Sequence, residues 1–310
     1  MNRVIILFLI AILFFSCNHS KTKTNKEKAK ETYTYFFAGH IYRWYTHDKV
    51  DKRIENLDYS QFDQVWLGGD VCSHLTEKKE TLSYIDSIFD LKSDKVHWTW
   101  GNHDVLHGHH EWITEKTGKD LYYASNFNGI TLLNLNTNMD SVFKSDQDKF
   151  CLETQKQYQL IKNVCDSITK SSHLIILTHN ISWHNYAKNA NTYANLFKNT
   201  GFSCDVNQTF DSIVYPHLKK VQEKGIQVIG IAGDSGLWGK YGHYTDENGI
   251  LYLACGINNS KLDHESIPEE KKQQAPKDKV LLLKHKPKEK QINFYFADLD
   301  SLYESQSGKQ

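Results

Sequence analysis

The run Trp98-Thr-Trp-Gly-Asn-His-Asp104, taken with Leu67-Gly-Gly-Asp70 upstream, decides how this chain is read. Each is an apolar, strand-forming run that stops at glycine and then presents side chains able to handle a metal or a proton. Gly-Asn is ordinary turn chemistry, so one such turn says little by itself. The arrangement recurs, however. Apolar runs at 33–37, 174–177 and 227–232 end in Ala38-Gly39-His40, Thr178-His179-Asn180 and Gly233-Asp234. Strand ends thus deliver His40, Asp70, Asn102, His103, His179 and Asp234, residues far apart in sequence.

Working outward, strands are expected at 33–37, 64–67, 96–100, 174–177, 227–232, 250–254, 280–284 and 292–297. A strand pair at 121–136 turns at Asn128-Gly129, a hairpin signal. Leu82, Ile85, Ile88 and Phe89 follow helical spacing within 76–91. Tyr158, Leu160, Ile161, Val164 and Ile168 do so within 153–168. Helices are also expected at 213–224 and, briefly, within 50–57, whereas 265–279 reads as a charged loop. Strands alternating with helices, followed by strands alone, indicate an α/β architecture with a largely parallel core. Such sheets bind ligands outside the carboxyl ends of their strands. A ring of oxygen and nitrogen donors there suits a divalent ion such as Mn²⁺, Fe²⁺ or Zn²⁺.

The 310 residues carry 37 Lys+Arg and 37 Asp+Glu, so no basic field argues for nucleic acid. Arg3 precedes an apolar run at 4–15 that is short for a membrane span and has the layout of an export signal. Ser16-Cys17 resembles a bacterial lipobox, which makes Cys17 the expected lipid attachment point. An ordinary signal peptide or an uncleaved anchor remains open as an alternative. The expected organisation is a signal peptide at 1–17, a tether at 18–31, one domain at 32–300 and a tail at 301–310. Within the domain, 181–210 reads as an insertion whose Trp183, Tyr186, Tyr193 and Phe197 either pack as a lid or stack on substrate. The protein is expected in the cell envelope, held to the membrane by its N-terminal lipid. Beyond Cys17, five cysteines show no close spacing, and buried free thiols are the favoured reading.

With these motifs in hand, residues 32–296 resemble a calcineurin-like metallophosphoesterase. The resemblance implies an α/β sandwich of two central β-sheets flanked by helices. It also implies hydrolysis of a phosphate mono- or diester by a metal-activated hydroxide. Gly69-Asp70 matches the family's Gly-Asp motif, so Asp70 would bridge two metals. Gly101-Asn102-His103-Asp104 matches fully. Asn102 would then bind metal, His103 would protonate the leaving oxygen, and Asp104 would hold the His103 ring. His179 falls where the family has a metal-binding histidine.

Two motifs depart from the pattern. Ala38 stands where the family has its leading aspartate, with His40 kept. Gly233-Asp234-Ser235-Gly236 replaces a Gly-His-x-His, leaving Asp234 as an oxygen substitute. One or two ions per chain are therefore both open. The expected partner is a phosphate-ester substrate. The competing expectation is a catalytically impaired binding or scaffold lipoprotein that keeps the fold. His74, His107, His109, His110 and His243 lie near these motifs in sequence and are expected mainly at the surface.

Overall fold

The computed structural model describes residues 30–180, 204–205, 210–234, 241–257, 262 and 265–308. The expected signal peptide, Cys17, nearly all of the tether and of the 181–210 insertion, and Gly236 lie outside the described residues.

Two mixed β-sheets form the centre of the fold. The first contains β1 (Tyr33–Ala38), β2 (Gln64–Leu67), β3 (Val96–Trp98), β10 (Lys279–Lys286) and β11 (Gln291–Asp298). Its order is β11-β10-β1-β2-β3. The second contains β4 (Tyr123–Phe127), β5 (Ile130–Asn134), β6 (His173–Thr178), β7 (Gln227–Ala232), β8 (Tyr241–Thr245) and β9 (Leu251–Cys255). Its order is β4-β5-β6-β7-β9-β8. The expected parallel core holds for β1–β2–β3 and for β5–β6–β7–β9. The margins are antiparallel. At the β4–β5 turn, Asn128 and Gly129 both take positive φ, 51° and 80°, as a tight hairpin requires.

Period-two alternation explains why both sheets are so apolar. In β1, Tyr35 and Phe37 point into the layer between the sheets, where they join Trp66, Leu281, Leu283, Ile175, Leu177, Ile229, Ile231 and Leu253. Phe36 and Ala38 point the other way, toward Ile54, Leu82, Ile85 and Phe89. In β6, Ile175 and Leu177 face the first sheet, while Leu174 and Ile176 face the helix Gln147–Ser167 through Ile161 and Cys165. Both faces of the central strands are buried, so those strands read as continuous apolar runs.

The structure corrects several sequence expectations. The helix expected at 153–168 starts earlier, at Gln147, because Asp146 caps it by accepting from the Lys149 backbone N–H at 2.9 Å. Only Gln147–Lys149 is polar there, and Phe150 packs in a separate cluster with Met139 and Phe143 instead of on the stripe of 158–168. The loop expected at 265–279 contains the helix Glu269–Gln274. Strand β8, Tyr-Gly-His-Tyr-Thr, was not expected; its alternation is aromatic and polar, with no aliphatic residue. The helix Leu299–Ser307 runs through the expected boundary between domain and tail. Leu299 at its start is fully buried. Arg53 further fixes this end of the chain, donating to Asp51, Asp278 and Asp300 at 2.8, 2.6 and 2.8 Å. All five described cysteines are free thiols, three of them buried. Among the described residues no helix is long and apolar enough to cross a membrane.

Candidate metal centre

The strand ends of both sheets meet at one point, and glycines allow it. Gly39 follows β1, Gly68 follows β2 and Gly233 follows β7. A Cβ on Gly39 would run into the Gly233 backbone, and a Cβ on Gly233 into that of Gly68. With no side chain between them, the backbones touch, and the next residues, His40 and Asp234, arrive side by side. His40 and Asp70 both sit at positive φ, 51° and 53°. That conformation is uncommon outside glycine and turns each side chain back toward the junction.

Four donors converge there. His40 Nε2 lies 3.1 Å from Asp70 Oδ2 and 3.0 Å from Asp234 Oδ1. His179 Nε2 lies 3.5 Å from the same Asp70 oxygen. The rings of His40 and His179 stack, 5.5 Å apart at 16°. Ligand atoms of His40, His179 and Asp234 all fall within 4.8 Å of one another. His40, Asp70 and His179 are buried. Although burial pushes it upward, the Asp234 carboxyl is held well below the usual carboxylate range by the hydrogen bond from His40 and the nearby histidines.

Hydrogen bonding around this cluster fixes the chemistry. His179 Nδ1 donates to the Gly68 carbonyl at 2.8 Å. Its proton is therefore on Nδ1, and Nε2 presents a lone pair. That lone pair faces Asp70 Oδ2, and neither atom has a hydrogen-bond partner within the described structure. Two buried acceptors pointing at each other are unfavourable unless a cation lies between them. A divalent ion held by His40, His179 and Asp234, whose ligand atoms meet, with Asp70 Oδ2 beside both imidazoles, fits a metal of the Mn, Fe or Zn type.

The turn after β3 adjoins this cluster. The His103 backbone N–H donates to Asp70 Oδ1 at 3.0 Å. Its Nδ1 is hydrogen-bonded to Ser73 Oγ at 3.1 Å, and its ring packs 5.5 Å from that of Tyr42. Asp104 does something other than expected. Its carboxylate does not meet the His103 ring. It accepts from the backbone N–H groups of Asp70, Val71, Cys72 and Gly101, at 2.9, 2.7, 3.4 and 2.8 Å, and from Trp98 Nε1 at 3.2 Å. Burial and then the Asp70 charge push Asp104 up, to about 7, against the pull of the Gly101 and Val71 N–H groups. Asp104 is thus the peg that fixes the Asp70 loop to the Gly101 turn. It does not orient a catalytic imidazole.

Asn102 lies half-buried in the same turn, and among the described residues its side chain forms no hydrogen bond. His40, kept beside the missing leading aspartate, is drawn into one cluster with His179 and Asp234. Sequence reading missed Ser73 and Tyr42. Ser73 lies three residues after Asp70, but a serine there carries no signal of its own. Of the other nearby histidines, His109 pairs with Glu111 at 3.1 Å, and His243 packs on Phe294.

The sequence profile described as calcineurin-like phosphoesterase matches residues 10–207. That is more than half of the chain, which therefore belongs to this family. In class it is a metal-dependent phosphoesterase, a hydrolase, and the family implies divalent metal. No curated protein matches the sequence. A solved phosphopantetheinyl hydrolase from Mycobacterium tuberculosis is similar at 12% identity, covering 76% of this chain and 93% of that chain with a TM-score of 0.43. A likeness of that size carries nothing about the substrate of this chain.

Proposed function

We propose that the chain hydrolyses a phosphate mono- or diester at a single, four-donor metal site made of His40, Asp70, His179 and Asp234. The observation that carries this reading is the buried His179 Nε2, which has no hydrogen-bond partner among the described residues and faces Asp70 Oδ2 at 3.5 Å. When bound, a divalent ion supplies a lowered pKa for water and screens phosphoryl charge. The residues themselves do the rest. Asp70 orients the His103 turn through its second oxygen. The Ser73 hydroxyl at Nδ1 sets the His103 ring so that Nε2 carries the proton given to the leaving oxygen, a role of general acid. Tyr42 walls that ring, and burial followed by the Asp70 charge keeps its phenol protonated.

The missing leading aspartate is central to the single-site reading. Ala38 is fully buried in the outer core with Phe36 and Leu67 and offers no ligand. Asp234 brings a carboxylate to His40 from the other sheet instead. A lipid anchor at Cys17 and an envelope location complete the proposal. They rest on the N-terminal sequence, and a membrane-fraction protein whose N-terminus carries no lipid on Cys17 by mass spectrometry would contradict the anchor.

The test is hydrolysis of phosphomonoesters, phosphodiesters and nucleotides by the full chain, supplied in turn with Mn²⁺, Fe²⁺ and Zn²⁺. Metal-dependent turnover that disappears in a folded Asp70→Ala variant is expected. Equal rates with and without chelator, or in Asp70→Ala, would sink it.

A further inference from the structure

We propose that His74, Glu77 and His107 form a second divalent-metal site on the surface, separate from the buried cluster. Ligand atoms of these three residues lie within 4.8 Å of one another. Bonds of about 2.0–2.2 Å from ion to nitrogen or oxygen place facing ligands at most about 4.4 Å apart. The remaining gap is small for exposed side chains. His74 Nδ1 already pairs with Glu77 Oε2. The His107 ring lies 4.8 Å from that of His74 at 59°.

The backbone beneath these side chains is fixed, which makes the convergence a property of the fold. His74 N–H donates to the His47 carbonyl at 3.1 Å, and Glu77 N–H to the His74 carbonyl at 3.3 Å. Leu75 between them is fully buried. On the other loop, Gly108 N–H donates to the Val105 carbonyl at 3.1 Å, and Val105 is buried. The His47 ring stacks on His74, 5.0 Å apart at 17°, and limits its rotation. Two imidazoles and one carboxylate suit Zn²⁺, Cu²⁺ or Ni²⁺, and three protein ligands leave a position for water. The site shares no residue with the buried cluster.

Its two halves come from different loops. His74 and Glu77 follow Asp70 and Ser73, whereas His107 follows Asn102, His103 and Asp104. An ion here clamps together the two loops that carry the proposed acid and its support.

Zinc titration of the full chain by calorimetry, with Co²⁺ absorption as a second readout, tests this. The variants are His107→Ala, Glu77→Gln and Asp70→Asn, each checked for folding by circular dichroism. Wild type is expected to bind one more Zn²⁺ per chain than His107→Ala. Glu77→Gln should bind that ion at least ten-fold more weakly, and Asp70→Asn should retain it. Equal stoichiometry and affinity in wild type, His107→Ala and Glu77→Gln would overturn the site. So would loss of every ion in folded Asp70→Asn, since the surface ion would then not be independent. Failure of the buried site alone would leave the His107-dependent ion in place.

Discussion

Two sets of buried histidines in this molecule have the same residue type and similar exposure, yet opposite surroundings. His40 and His179, past the ends of β1 and β6, face Asp70 and Asp234. His97, His173 and His285, inside β3, β6 and β10, face hydroxyl groups, and the last two face each other. His285 Nδ1 is hydrogen-bonded to the Tyr35 hydroxyl at 2.9 Å, His173 Nδ1 to Ser172 Oγ at 2.8 Å and His97 Nδ1 to the Tyr123 hydroxyl at 3.0 Å. Burial alone makes a neutral packing histidine. Carboxylates at a strand end are what make a ligand.

The sharpest way to break this contrast is to remove one histidine from each set. His179→Ala is expected to bring hydrolysis to background, while His285→Phe leaves turnover within a few-fold of wild type, measured on the same substrate. Loss of turnover in both, with both folded, would erase the distinction. His103→Ala should cut turnover about 10²–10⁴-fold, the usual range for a general acid, with metal content nearly unchanged. A matching loss of metal would recast His103 as part of the binding cluster.

A third environment refines the contrast. Asp104 is a buried carboxylate that faces N–H groups and no imidazole. Asp104→Ala should destabilise the fold by about 2–4 kcal/mol, because it leaves several buried N–H donors unsatisfied at about 1–3 kcal/mol for each that finds no other partner. Denaturant unfolding would read this directly, and a change below about 1 kcal/mol would refute the peg.

The smallest effect concerns acid. Burial pushes His285 down to about 4, and burial followed by the nearness of His285 pushes His173 down to about 4. The unfolded chain has ordinary histidines near 6.5 and so binds more protons between these values. Stability is therefore full above about 6.5 and falls as pH drops toward about 4. The loss is on the order of 3 kcal/mol for either residue alone, and the neighbouring pair is not additive. Asp104, raised to about 7, contributes in the opposite sense over the same window, and His97 and His173 keep their share, so the test is the difference. His285→Phe should lose stability less steeply toward acid than wild type when unfolding free energy is measured from about pH 7 to about 4. An unchanged slope in that variant would remove His285 from the account.

Much of the fold was legible because both faces of the central strands are buried. Runs such as Gln227–Ala232 and Gln64–Leu67 then stand out with accurate ends. Strand β8 and the helix Leu299–Ser307 were not legible. The first has no aliphatic pattern, and the second is held by Arg53 and by a few contacts that come from distant sequence. For the candidate site, the donor types could be read from strand ends, and so could their family roles. Their pairing could not. Whether Asp104 meets His103 or the backbone of residues 70–72 depends on how two loops cross, and the same is true of Asp234 reaching His40 from the other sheet. The approach of Gly39 to Gly233 creates that second contact, and neither glycine carries any local sign of it.

The most direct measurement is metal content by elemental analysis of the full chain in the His107→Ala background, which removes the proposed surface ion. One ion per chain is predicted, lost when His179→Ala is added to the folded protein. Two ions per chain would contradict the single four-donor site, and none would leave the cluster as a histidine–carboxylate network without metal.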